Sequence, residues 1–213
     1  MAVVVTIDVE FGDRPSPEPL RTLERLVAVL DAHGAPATFF VQGRWAKAHP
    51  SLVADLARRD PTLGLHGYTH VDYRRLSDEG VAAELDDGLA ALRAAAPDHV
   101  VRYTRLPHGF GTGEPRIAKA IADHSLTPVG WDFSTFDWDD TLDLDRRAGR
   151  AVMALERSGV VMMHSWPAAT PEILDRLLRS ADPGDIVSLD DVELGGRLST
   201  GWTMHRERTD PPR

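Results

Sequence analysis

Residues 2–41 read AVVVTIDVEFGDRPSPEPLRTLERLVAVLDAHGAPATFFV, and the hydrophobic pattern changes twice within them. Residues 2–9 form a β-branched run of strand length. From Pro19 the spacing lengthens: Leu20, Leu23, Val27 and Leu30 recur at helical intervals, and the pattern stops at Gly34. Residues 37–41, ATFFV, return to a strand. Strand, helix and strand in that order predict parallel strands joined by a crossover helix.

The alternation continues outward from this unit. PSLVADLARR (50–59) predicts a helix opened by Pro50, and SDEGVAAELDDGLAALRAAAP (77–97) a helix capped by Ser77, periodic through Leu92 and stopped by Pro97. Further strands are predicted at LGLH (63–66), VVRYTRL (100–106), TPVGWDF (127–133), GVVMMH (159–164) and DIVSL (185–189). About seven strands separated by helices predict an α/β barrel, whose active site sits where the strands end. The length of 213 residues fits one domain, taken here as 1–194, with an aperiodic extension at 195–213.

Composition narrows the chemistry. With 33 acidic residues against 24 basic, the net charge of -9 gives no electrostatic reason to bind nucleic acid or an anionic membrane. There is no cysteine, so a metal would have to be held by His, Asp and Glu. The amino terminus lacks a basic region, and its apolar run is too short for a leader or a membrane span. The expectation is a cytoplasmic protein as the sequence stands, or a secreted one if a leader has been removed.

Polar residues gather at the predicted strand ends. Asp8 and Glu10 close the first strand, His66 and His70 follow the third, Arg105 ends the next, Asp132 and Asp137 follow VGW, and His164 ends VVMM. Each is expected on one rim. His33, His49, His99, His124 and His205 lack such a setting and are read as surface or capping residues.

These blocks resemble the polysaccharide deacetylases of the NodB-homology type, carbohydrate esterase family 4. TIDVE stands for T-F-D-D, ATFFVQG for A-T-F-F-x-x-G, HGYTH for H-[ST]-x-x-H, RLPHG for R-x-P-Y-G, DFSTFDW for the D-x-x-D-W region and MMH for L-x-H, in the family's order from about Val3 to Leu189. The resemblance implies a distorted (β/α) barrel of about seven strands and a Zn2+ ion, or another divalent transition metal, held by Glu10, His66 and His70. It further implies Asp8 as general base, Arg105 as its orienting partner, His164 as general acid and Asp137 as the partner that keeps His164 cationic. Trp138 and Met162 would line the pocket for the acetyl methyl group, and the backbone N–H of His108 would face the oxyanion. The implied partner is a carbohydrate or small-molecule substrate, with no nucleic acid and no membrane insertion.

Three positions depart from the family pattern. Val9 replaces the second Asp, which moves the metal carboxylate to Glu10; His108 replaces Tyr; and Met162 replaces Leu. In a strand, Asp8 and Glu10 share a face while Val9 points to the packing behind the sheet. The leading expectation is an N-deacetylase acting on glycans that carry N-acetylglucosamine. Against it stand a C–N hydrolase opening a cyclic amide or ureide on the same fold, and a degenerate carbohydrate-binding domain.

Overall fold

The computed structural model describes residues 2–10, 18–59 and 62–192. The extension at 195–213, His205 and the domain boundary at 194 lie outside the described residues. Strand β1 (Val3–Val9) is followed by helix α1 (Glu18–His33), β2 (Thr38–Val41), α2 (Gly43–Ala48), α3 (Pro50–Arg59) and β3 (Leu63–Leu65). Then come α4 (Asp78–Ala95), β4 (Tyr103–Thr104), α5 (Pro115–Asp123), β5 (Thr127–Pro128) and β6 (Phe133–Ser134). Helices α6 (Leu144–Val152) and α7 (Ala154–Arg157), β7 (Gly159–His164) and α8 (Thr170–Ser180) complete the order.

The expected βαβ unit is present, and its helix ends for a local reason. Gly34 takes a left-handed φ of 59°, which lets its N–H bond Asp31 O at 3.2 Å and the Ala35 N–H bond Leu30 O at 3.1 Å. This pair of bonds satisfies carbonyls that the helix end would leave open, in a conformation that glycine adopts without a Cβ penalty.

All seven strands are parallel, in the order β5-β4-β3-β2-β1-β7-β6. The connection between the two edge strands forces this sheet to curl. Six spacings of about 4.8 Å would put the edges of a flat sheet ~29 Å apart. Pro128 and Phe133 are joined by five Cα steps of about 3.8 Å, ~19 Å at most. The edges must therefore approach each other, and residues 129–132 bridge the gap of a distorted barrel.

Two expected strands come out differently. The run 127–133 divides into β5 and β6 on opposite edges, a change of partner that hydrophobicity does not encode. The run 185–189 forms only an isolated bridge, Val3 to Ile186, because from Thr6 onward that side of β1 is already paired with β2. It turns instead into a 3-10 helix at Leu189–Asp191. The count of seven is met with different members.

Alternation along the strands sorts the core. Val3, Val5, Ile7 and Val9 of β1 and Val161 and Met163 of β7 join the main cluster with the surrounding helices. Val4, Phe40, Val129, Val160 and Leu189 form a smaller cluster. Gly64 leaves room for the Phe40 ring, since a Cβ there would lie 2.4 Å from it. Among the described residues no helix is long and apolar enough to cross a membrane.

Candidate active site

Asp8 and Glu10 leave β1 on the face opposite Val9, which is fully buried in the main cluster. Asp8 is buried against Arg105, whose side chain is 1% exposed. The Arg105 guanidinium donates to Asp8 Oδ1 at 2.7 Å, to the Gly130 carbonyl at 2.8 Å and to the Val129 carbonyl at 3.3 Å, and lies 4.3 Å from the Phe40 ring centroid. Burial pulls its pKa below the ordinary arginine value, and the Asp8 charge opposes that. Three fixed bonds leave the guanidinium little freedom, so Asp8 is held in one orientation. Arg105 also ties the bridging segment 129–130 to β1, joining barrel closure to the site.

The two histidines stand at either end of a tight loop. Gly67 and His70 both have left-handed backbones, with φ of 65° and 64°. Buried Glu84 of α4 holds the loop from behind: Oε2 accepts the N–H groups of Tyr68 and Thr69 at 2.8 and 2.9 Å, and Oε1 accepts the Thr69 hydroxyl at 2.5 Å. The His66 and His70 ring centroids come within 5.0 Å. His66 Nδ1 donates to the Arg105 carbonyl at 2.9 Å, a bond to an obligate acceptor that fixes the proton there and leaves the Nε2 lone pair facing the carboxylates.

Glu10 Oε2 lies 2.5 Å from His70 Nε2 and 3.5 Å from His66 Nε2, while Asp8 Oδ2 is 3.8 Å from His66 Nε2. Despite this proximity Oε2 is buried without a hydrogen-bond partner among the described residues. Burial pushes the Glu10 carboxyl up, but both histidines outweigh it and hold it well below the usual range. Burial likewise pulls His66 down, yet Asp8 and Glu10 raise it. The lowered Glu10 stays an ionised carboxylate, and the raised His66 marks a position where its carboxylate neighbours favour added positive charge. Ligand atoms of Glu10, His66 and His70 lie within 4.8 Å of one another. An orphaned carboxylate oxygen and two imidazole nitrogens suit a divalent transition metal with room for further ligands.

His164 stands beside this group, because Asp8 and His164 are register partners on β1 and β7. Its Nδ1 bonds Asp137 Oδ1 at 2.9 Å; Asp137 Oδ2 accepts the His164 N–H at 2.7 Å and the Thr170 hydroxyl at 2.8 Å. Burial alone would lower the His164 pKa, but the charge and hydrogen bond of Asp137, with Asp8 and Glu10 behind them, raise it to about 9. Nδ1 is thereby engaged, and Nε2 is the nitrogen left for chemistry.

His108 occupies the 3-10 turn Pro107–Gly109 with φ of 59°, its ring edge-on to His70 at 4.5 Å. Burial, then the neighbouring His70, lowers its pKa. Its backbone N–H has no hydrogen-bond partner among the described residues. Met162 is buried on β7 two residues before His164. Trp138 is 44% exposed, and its ring contact is with Phe136 at 5.7 Å rather than with His164.

Asp132 does not belong to the rim. Its Oδ2 accepts the Val160 N–H at 2.9 Å at the start of β7, the end opposite His164. Of the histidines set aside, His33 pairs with Asp175, His99 accepts the Leu63 N–H, and His124 bonds Ala120 O near the end of α5. Two contributors escaped the sequence reading. Trp166 donates Nε1–H to Glu10 Oε1 at 3.3 Å with its ring 6.0 Å from His164, and Glu84 braces the histidine loop. Proximity to His164 in sequence could have flagged Trp166; nothing local flags Glu84.

A family profile described as polysaccharide deacetylase matches residues 3–129. A chitooligosaccharide deacetylase from Sinorhizobium fredii is 28% identical over 199 residues, 93% of this chain and 78% of its own. A family 4 carbohydrate esterase from Streptomyces lividans, solved in complex with acetate, superposes with a TM-score of 0.71 at 25% identity, covering 84% of this chain and 86% of its own. A CE4 family pseudoenzyme from Bacillus anthracis superposes with a TM-score of 0.75 at 26% identity, covering 88% and 63%.

Proposed function

This chain belongs to the polysaccharide deacetylase family, and from that premise we propose that it removes N-acetyl groups from N-acetylglucosamine-containing glycans or oligosaccharides with the help of Zn2+ or a similar divalent ion. The observation that carries the metal requirement is the orphaned Glu10 Oε2 facing two imidazole nitrogens. Glu10, His66 and His70 would hold the ion. When bound, it supplies Lewis acidity that polarises the amide carbonyl and makes a water easier to deprotonate.

The remaining roles fall to the chain's own groups. Asp8, held at Oδ1 by Arg105, keeps Oδ2 as the oxygen that takes a proton from the attacking water. The His108 N–H, without a hydrogen-bond partner among the described residues, is a donor for the carbonyl oxygen as it gains charge. His164, cationic at neutral pH, delivers its Nε2 proton to the departing nitrogen, so that an amine leaves rather than an amide anion. Met162, buried beside this group, offers an apolar surface to the acetyl methyl, with Trp138 at the rim.

A neighbouring fold that is a pseudoenzyme makes loss of activity a fair alternative. Against it, this chain retains a base, an acid, a partner for each and a three-donor ligand set. The test is acetate release from acetylated chitooligosaccharide by protein stripped with a chelator and by the same protein resupplied with Zn2+, with a cyclic imide alongside. Zinc-restored acetate release supports the reading. Release unaffected by stripping, or ring opening of the imide alone, overturns it.

A further inference from the structure

We propose that Trp166 is a positioning residue for the metal carboxylate, resting on the reading that Glu10 is a ligand. Glu10 stands where one more rotatable bond separates the carboxylate from the backbone than an Asp would have, and that bond must be fixed for a single oxygen to be presented. The indole does this: Trp166 Nε1 donates to Oε1 at 3.3 Å, while Oε2 has no hydrogen-bond partner among the described residues and lies against His70 and His66. One oxygen is restrained and the other offered. The sequence separation of 156 between Trp166 and Glu10 is bridged because β7 and β1 are adjacent and Ser165 N bonds Asp8 O at 3.0 Å, which sets the loop after β7 beside the end of β1.

Partners that orient a ligand in this way are worth about 10–100-fold in metal affinity. Trp166→Phe keeps the ring but removes the N–H. Half-buried at the rim, Trp166 belongs to neither hydrophobic cluster, so the melting temperature of the metal-free protein should stay as in the wild type. Affinity for Zn2+ alone, measured by competition with a chromophoric chelator, should fall by about 10–100-fold.

A second measurement needs no variant affinity. The indole N–H resonance that disappears in Trp166→Phe should shift when Zn2+ is added to the wild type, and should not shift in Glu10→Ala. Equal Zn2+ affinity in the wild type and Trp166→Phe, or an indole resonance that ignores zinc in a wild type that binds it, overturns this inference and leaves the deacetylase reading standing. A wild type that binds no Zn2+ overturns both.

Discussion

Replacing Asp137 by Asn should produce a catalytic defect that grows with pH. The carboxylate is 1% exposed and supplies both the hydrogen bond at His164 Nδ1 and the charge that counters the burial of the imidazole. Asn keeps the volume and one carbonyl oxygen to accept the Nδ1–H, but the charge is gone. With it the His164 pKa should drop from about 9 toward the ordinary 6.5 or below. At pH 8 an acid of pKa about 9 is roughly 90% protonated and one of 6.5 roughly 3%, a ratio near 30-fold. At pH 6 the same two acids differ by only about 1.3-fold.

The absolute rate of the variant carries an additional loss. The Asn amide must face the His164 N–H or the Nδ1–H, which leaves a buried donor without an acceptor at roughly 1–3 kcal/mol. That loss does not vary across this pH range, so the diagnostic quantity is the ratio of the defects at pH 8 and pH 6. Initial rates of acetate release at substrate well below KM give kcat/KM directly. The alkaline limb should move from near pH 9 to near pH 6.5, with the deficit about 20-fold larger at pH 8 than at pH 6. A deficit of equal size at both pH values, or an unmoved alkaline limb, would refute the assignment of His164 as the proton donor tuned by Asp137.

The same shift has a stability signature: a group raised in the folded state contributes fully below its unfolded pKa of about 6.5 and loses that contribution as pH climbs through about 9. Denaturant titrations should show on the order of 3 kcal/mol lost from this group between pH 6 and pH 10, and a much flatter slope in Asp137→Asn. Arg105→Met should strand the buried Asp8 carboxylate and destabilise the fold by about 3–5 kcal/mol, read as a lower denaturation midpoint; a midpoint unchanged from wild type would mean that Asp8 finds another partner. Glu84→Ala should leave the Tyr68 and Thr69 N–H groups without an acceptor, weakening Zn2+ binding, while Glu84→Gln should retain most of it. Gly64→Ala should cost about 1–3 kcal/mol by pressing a methyl into the Phe40 ring, seen as a lower melting temperature.

What the sequence discloses here depends on whether a residue's job is local. Residues 2–9 read as a strand because they are a β-branched run of strand length, and no partner needs to be known for that; all seven residues of β1 are then buried. Residues 127–133 read as one strand but serve two sheet edges, and the break at Val129–Asp132 is set by how the barrel closes. Asp132 follows the same logic. Its position after VGW suggests the rim, whereas β6 has yet to begin there and its carboxylate binds the start of β7.

The site divides along the same line. Asp8, Glu10, His66, Arg105 and His164 end or closely follow strands, so a correct list of strands is enough to gather them. Trp166 and Glu84 act across 156 and 15 to 16 residues, from a loop and from the middle of a helix, and no spacing rule brings them to Glu10 or to the His66–His70 loop. Val9 shows how the two levels meet. In this register its side chain belongs to the packing between sheet and helices, paired across β2 with Val41. A carboxylate at position 9 in the same register would be buried among apolar groups and away from the histidines. Position 10 is the next one on the inner face, beyond the end of β1, and a Glu there has the extra reach to bring an oxygen to 2.5 Å from His70. Reach alone would leave the carboxylate free to turn, and for that reason the indole N–H at Oε1 belongs in any account of a Glu in the proposed ligand set.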